Sequence, residues 1–239
     1  MNKPPSNKEI KTIASHLRKP VRVKGVEVAN MMNEGNLPMN LHTLAVLNAE
    51  PKDHILEIGM ANGYFVKHLL NGTRDIKYIG LDYSETMIVE ARKLNSKYIE
   101  QGTADFIQGD IHQLPFKDKV FDKLFTINTF YFWEDIREVL NEIKRVLKPN
   151  GVFILSIRPK HNMETIPVTK FNFKLLETIN IIEILKTAGF DQIEKTEIIE
   201  PEQERWGKSF TRETVILKCK IEQIKKRLVF TRRFFISRT

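Results

Sequence analysis

The 239-residue sequence predicts an α/β domain: a doubly wound, mostly parallel sheet of seven strands with helices on both faces and an N-terminal helical cap. Two observations predict it. From Pro51 onward, short aliphatic runs alternate with segments of helical period, the pattern of βαβ units and a parallel sheet. Between the first such run and the first helical segment lies "ILEIGMANGYF" (residues 55–65). It passes from aliphatics and an acid into Gly59, Ala61 and Gly63, a small-residue loop of the kind that lets a ligand touch backbone.

The elements follow in order. Residues 1–50 read as short helices broken by Pro20, Gly25, Gly35 and Pro38. Within them the methionine-bearing stretch 26–40 either lines an adaptable pocket or packs as an ordinary helix. Strands are expected near 54–58, 77–82, 104–108, 121–127, 151–157, 192–198 and 211–219, and helices near 63–71, 84–95, 134–147 and 174–187. Val139, Leu140, Ile143, Val146 and Leu147 form one apolar helix face, which "KPNG" (148–151) terminates. Gly189 suits a left-handed cap on the last helix. The closing strand, "TVILKCK", is expected to run antiparallel. The domain thus spans 51–219, after a cap over 1–50 and before a basic tail over 220–239.

Charge is unevenly distributed. Of the formal +8, the segment from Lys218 onward carries eight basic residues against Glu222, a net +7, and everything before it carries +1. The tail reads as a solvated segment or, through Ile221, Ile224 and Leu228, as an amphipathic surface helix. No apolar run approaches transmembrane length and the N-terminus has no apolar block, so a cytoplasmic protein is expected. A single cysteine, Cys219, excludes an intramolecular disulfide and a multi-cysteine metal site, and no histidine pair has metal-ligand spacing. The sequence is silent on oligomeric state.

The loop admits two ligand classes. Dinucleotide folds require G-x-G-x-x-G, and here Gly59, Ala61 and Tyr64 stand at those positions, so two glycines are missing. The pattern acid-x-Gly-x-Gly-x-Gly reads Glu57, Gly59, Ala61, Gly63, with one glycine changed by a methyl group, which favours a smaller, non-phosphate ligand. Asp82 ends the second strand 23 residues past Gly59, where a carboxylate accepts ribose hydroxyls, and Asp110 follows the third, where it accepts from an exocyclic amine. Each alone reads as a helix cap or turn residue. Acids at three consecutive strand ends point instead to one crevice.

"LEIGMANGYF", "GLDYSETM", "GDIHQLPF", "FDKLFTIN" and "EIKRVLKPNGVFIL" follow one another in an order and spacing that resembles the class I S-adenosylmethionine-dependent methyltransferases, over residues 51–200. The likeness is strongest to the small-molecule branch that includes quinone-biosynthesis enzymes. It implies a Rossmann-like fold and S-adenosylmethionine as cofactor. It also implies Glu57, Gly59, Ala61 and Gly63 around the methionine moiety, Asp82 on the ribose, Tyr83 against adenine, Asp110 and Ile111 at the adenine edge, and Asn128 near the amino group.

A sulfonium carries its own activation, so in-line placement of an acceptor does most of the work, and an oxygen or nitrogen acceptor additionally needs a base when it carries a proton. "NTFYFW" (128–133) falls where the acceptor is expected, with Tyr131 as candidate catalytic and substrate contact and Trp133 beside it; the competing reading is a core-packing cluster. Nucleic-acid adenine methyltransferases carry Asn-Pro-Pro-Tyr at this point, and "NTFY" lacks both prolines. Arg158 either meets an acidic substrate or pairs with a neighbouring carboxylate, and His42, His112 and His161 read as surface or capping residues. The expected function is methyl transfer to a small-molecule acceptor. The alternatives are an RNA methyltransferase that docks through the tail and a cofactor-binding regulator without catalysis. The loops 59–64, 82–85 and 128–135 hold no lysine or arginine, which disfavours nucleic acid.

Overall fold

The strand ends that carry the acids are brought together by sheet order. In the computed structural model, which describes residues 5–73, 75–205 and 208–221, the chain runs α1 (Asn7–Arg18), α2 (Arg22–Leu47), β1 (His54–Ile58), α3 (Val66–Leu70), β2 (Lys77–Asp82), α4 (Glu85–Leu94), α5 (Ser96–Glu100), β3 (Ala104–Gln108) and β4 (Phe121–Ile127). It continues through α6 (Ile136–Val146), β5 (Leu147–Ile157), α7 (Lys160–Glu164), α8 (Thr178–Thr187), β6 (Gln192–Ile199), β7 (Gln203–Arg205), β8 (Lys208–Phe210) and β9 (Glu213–Lys220). The seven-stranded sheet has the order β3-β2-β1-β4-β5-β9-β6, and β7 pairs with β8 as a separate hairpin. β1 lies between β2 and β4, parallel to both, so the chain winds outward in both directions from this point. A crevice opens at such a switch point, beyond the carboxyl ends of β1 and β4. β9 is the antiparallel strand, paired to β5 on one side and β6 on the other.

Successive residues of each central strand feed opposite layers of core. Leu56, Leu124, Leu155 and Leu217 join α6 and α8 on one face, through Val139, Leu140, Ile143, Ile181 and Leu185. Ile55, Phe125, Ile154 and Ile216 join the other, with Leu47 of α2, Val66 and Leu69 of α3, and Ile88 and Ala91 of α4. This two-sided burial is why the strands read as continuous apolar runs rather than alternating ones.

Three local expectations are corrected. The segment after Pro20 is one 26-residue helix, α2, through Gly25, Gly35 and Pro38. Proline at 38 removes the amide that would bond the carbonyl of Glu34, a break that ends many helices. Here the next carbonyl, of Gly35, accepts from Arg158 Nη2 at 3.2 Å and Arg212 Nη1 at 3.1 Å, and Thr43 Oγ1 bonds Ser156 Oγ at 2.8 Å, so tertiary contacts hold the helix across the proline. Gly25 serves the turn between α1 and α2: a Cβ there would lie 2.7 Å from the Pro20 backbone. Second, β5 begins at Leu147 rather than 151. Phe121 pairs with Leu147 but Lys123 with Val152, so 148–151 bulge out, with Asn150 left-handed at φ 69°. Third, Lys220 closes β9 and Ile221 packs on the core, so the first two positions assigned to the tail belong to the fold. The rest of that segment, 222–239, lies outside the described residues.

Candidate functional site

The loop after β1 is built from alternating backbone signs. Gly59, Ala61 and Gly63 have φ of 74°, 52° and 66°. Glycine takes such angles freely, whereas alanine there costs roughly 1–2 kcal/mol. Gly59 has a second constraint, since a Cβ would collide with the Thr129 methyl just past the end of β4. The loop's amides are largely satisfied internally. Gly59 N–H donates to Leu81 O at 2.7 Å, Ala61 N–H to Asp82 Oδ2 at 3.0 Å, Gly63 N–H to Met60 O at 3.1 Å and Tyr64 N–H to Asn62 Oδ1 at 3.3 Å. A phosphate cradle presents a row of such N–H groups to its anion. This loop does not, which agrees with a ligand that lacks phosphate.

What the site presents instead is carboxylate. Glu57, buried near the end of β1, accepts the Tyr78 hydroxyl at 2.6 Å; burial pushes its carboxyl up to about 7, with Asp82 adding to the rise and the Tyr78 hydrogen bond opposing it. Asp82, at the end of β2, accepts Ala61 N–H through one oxygen and Ser84 N–H at 2.8 Å through the other, and burial still raises it to about 6. Two hydrogen-bond-hungry acids in low dielectric suit a ligand that brings hydroxyl donors and a cationic amine. Asp110 is more open. Partial burial works against its charge, but the amide of His112 at 2.9 Å and its ring Nδ1 at 2.7 Å hold it below the ordinary carboxylate range. Tyr83 is half exposed, with Lys19 Nζ 4.0 Å from its ring centroid.

All of these border one cavity of about 840 Å³, within the roughly 300–1,000 Å³ usual for small-ligand sites. Glu57, Gly59, Ala61, Asp82, Tyr83, Asp110, Ile111, Asn128, Tyr131, Trp133 and Arg158 line it, and Gly63 lies behind the loop against Asn95 and Phe106. The acids and glycines form one end. The other is largely apolar, roofed by α1, α2 and residues 163–173, with His16, Arg18, Asn33, Asn36 and Asn40 among its polar members. Met31 and Met32 reach this roof, while Met39 is core. These acceptors and this volume fit S-adenosylmethionine, whose chemistry is an electrophilic methyl on sulfur.

The acceptor-side candidates are placed less simply. The Tyr131 hydroxyl accepts Arg158 N–H at 2.7 Å and faces Arg158 O at 3.1 Å and Asn128 Oδ1 at 3.3 Å. Burial drives its acidity well below that of a free phenol, opposed by the Arg158 contacts. It is a clasp between the β4 and β5 ends, and only its ring is offered to a ligand. Trp133 is buried, its Nε1–H donating to Thr129 Oγ1 at 3.2 Å. Of the two readings of Arg158, the structure shows the ion pair: its guanidinium meets Glu200 at 2.8 and 3.3 Å, and Thr214 hydroxyl also bonds Glu200. Sequence reasoning missed the contributions of α1, His16 above all. The signal was available: Ile10, Ile13, Ala14 and Leu17 form a helical stripe behind the Ser6–Glu9 capping box.

Comparisons with known proteins agree with this geometry. The family described as "Methyltransferase domain" matches residues 56–155. The uncharacterized methyltransferase YdaC of Bacillus subtilis is 28% identical over 164 residues, covering 69% of this chain and 86% of that protein. Fatty-acid O-methyltransferase of Mycolicibacterium smegmatis is 29% identical over 133 residues, 55% of this chain and 47% of that protein, so the chain spans about half its length. Phospholethanolamine N-methyltransferase 2 of Haemonchus contortus, solved with phosphomonomethylethanolamine and S-adenosylhomocysteine, superposes with a TM-score of 0.64 at 16% identity, over 79% of this chain and 54% of that one, a likeness of fold. The matched domain contains the β1 loop and both buried acids, and together with these relatives it makes the chain an S-adenosylmethionine-dependent methyltransferase.

Proposed function

We propose that this methyltransferase acts on a small-molecule acceptor with a largely apolar body. One observation carries the reading: the cavity is continuous from Glu57 and Asp82 to a largely apolar end between the Tyr131–Trp133 turn and α1 and α2, so cofactor and acceptor share one space. Glu57 takes the cofactor's ammonium, Asp82 its ribose, Asp110 and Ile111 its adenine edge. Asn128, Tyr131 and Trp133 shape the wall where the methyl leaves, and Arg158 acts through Glu200 and α2 as a positioning residue. Helices α1 and α2 serve as the cap over residues 1–50, and the cytoplasm is the compartment such a reaction requires. The relatives' names support a small acceptor, one of them a fatty acid. The finer likeness to quinone-biosynthesis enzymes rests on sequence motifs, and the apolar end suits a quinol ring as well as an aliphatic chain.

RNA is not favoured, because the loops bordering the cavity carry acids and aromatics where phosphate contacts would need cations. The test incubates the purified chain, with no added partner protein, with methyl-labelled cofactor and three pools: aliphatic acids, quinols and total RNA. Label should enter an apolar small-molecule fraction, with little dependence on ionic strength and with the segment 222–239 deleted. Label in RNA, collapsing between low and physiological salt, would reverse the assignment.

A further inference from the structure

The largely apolar end of the cavity carries a few polar side chains, His16 of α1 among them, with Arg18, Asn33, Asn36 and Asn40. Ile10, Ile13 and Leu17 of α1 line the same roof, and Met163 and Ile166 face it from beyond β5. His16 is only 9% exposed. Its Nδ1 accepts Val21 N–H at 3.3 Å across the turn into α2, so in the neutral ring the proton resides on Nε2. Among the described residues Nε2–H has no hydrogen-bond partner. His16 lines the cavity, and a ligand oxygen that accepts from Nε2–H gains a hydrogen bond. The last turn of α1 is also fixed across the crevice. Arg18 pairs with Glu134, next to Trp133, and Pro20 O accepts the Ser84 hydroxyl, next to Asp82 and Tyr83. His16 is thereby held between the β2 wall and the β4 wall, over the space between cofactor and acceptor.

Among the described residues, no group near the apolar end is free to act as a base; Glu134 is paired with Arg18. The Tyr131 hydroxyl is clasped to Arg158, and Glu57 and Asp82 belong to the cofactor end. The ring of His112 leans on Asp110 through Nδ1, and its Nε2 is buried out of an acceptor's reach. His16 itself presents N–H, not a lone pair. An acceptor suited to this arrangement arrives already ionised and carries an oxygen that takes a hydrogen bond.

We propose that the acceptor is an apolar carboxylic acid, held by its carboxylate on His16 Nε2–H and methylated on oxygen; this rests on the methyltransferase reading above. One carboxylate oxygen accepts from His16 while the other supplies the electron pair of the new C–O bond. The methyl–sulfur bond breaks, its pair stays on sulfur, and sulfonium plus carboxylate become neutral thioether plus ester. No proton has to leave, so no base is required.

The test measures binding by calorimetry to the full chain saturated with S-adenosylhomocysteine, using dodecanoate and 4-butylbenzoate against the matching alcohols. Each acid should bind more tightly than its alcohol. His16→Phe should weaken the acids by about tenfold or more while leaving the alcohols and S-adenosylhomocysteine within about twofold, and His16→Gln, which restores an N–H, should recover most of the loss. With S-adenosylmethionine the acids should yield methyl esters. If neither acid outbinds its alcohol, or His16→Phe leaves acid affinity unchanged, the proposal is wrong. Failure of the wild-type chain to bind S-adenosylhomocysteine at all would instead sink the underlying cofactor assignment, and the two results are read separately.

Discussion

Replacing Glu57 with glutamine should make the ligand-free protein more stable and the enzyme worse. Glu57 is buried at the carboxyl end of β1, its carboxyl raised from 4.5 to about 7, chiefly by burial. A carboxyl whose folded-state value lies above its unfolded one holds its proton longer in the folded chain. Its contribution to stability is full below about pH 4.5 and is lost as the pH rises through about 7. The displacement corresponds to about 3 kcal/mol, of which about 2–3 kcal/mol should vanish between pH 5 and pH 8. Glutamine keeps the oxygen that accepts from Tyr78 and does not ionise. Urea unfolding at both pH values should show the Glu57→Gln chain gaining about 2–3 kcal/mol on wild type between pH 5 and pH 8. A mutant-minus-wild-type difference that is the same at both would refute the burial argument. The functional counterpart is a proton. When the cofactor's ammonium sits on Glu57 the carboxylate becomes the favoured form, so binding near pH 6.5 should release most of a proton in wild type and clearly less in the mutant, where Asp82, raised to about 6, is the remaining source. Calorimetry in buffers of different ionisation heat reads that number directly, and cofactor affinity should fall by about tenfold to a hundredfold.

Other positions give sharper yes-or-no outcomes. Asp82→Ala removes the acceptor of two backbone amides as well as the proposed ribose partner, and cofactor affinity should drop by about tenfold to a hundredfold; undiminished binding in calorimetry removes Asp82 from the site. Tyr131→Phe leaves Arg158 N–H buried without its partner, which should cost about 1–3 kcal/mol of stability with turnover of the folded enzyme nearly intact; a large loss of kcat would make the hydroxyl a catalytic group after all. Arg158→Met should destabilise by about 3–5 kcal/mol by stranding Glu200, and Arg158→Met with Glu200→Leu should recover much of it. Melting curves of the single and double variants decide this, and a harmless single variant would contradict the buried ion pair.

What was legible in the sequence is what local chemistry dictates. Gly59 and Gly63 must be glycine-like because their backbone is left-handed, and Glu57 and Asp82 stand where strands end, so motif spacing alone located one wall of the cavity. The central strands β1, β4 and β5 were legible because both of their faces are buried, whereas β6 is largely exposed. The helical roof was not. Pro38 breaks a helix by every local criterion, and what overrides it comes from Arg158 and Arg212, more than a hundred positions away. Tyr131 illustrates the same limit: a hydroxyl in an aromatic turn invites a substrate, but its partner is the backbone of Arg158, which only sheet pairing brings near. His16 was passed over because it lies within a helix, and its exposure to the cavity depends on how α1 is laid across the crevice.

The insertion of β9 between β5 and β6 gives the molecule an order of assembly. β6 has β9 as its neighbour in the sheet, so residues 192–199 form their ladder only once 213–220 have been made, and they join the sheet only when 213–220 are seated beside β5. Until then the far edge of β5 presents unpaired backbone, a surface on which strands of other chains can add. The chain carries a marker for this event. Cys219, its one cysteine, lies within β9 opposite Phe153 and Ile193, wholly buried, with burial pushing its thiol up to about 12. A thiol reagent therefore finds nothing to modify while the strand is seated, and the rate at which it succeeds is a clock for how often the last-made strand leaves the sheet.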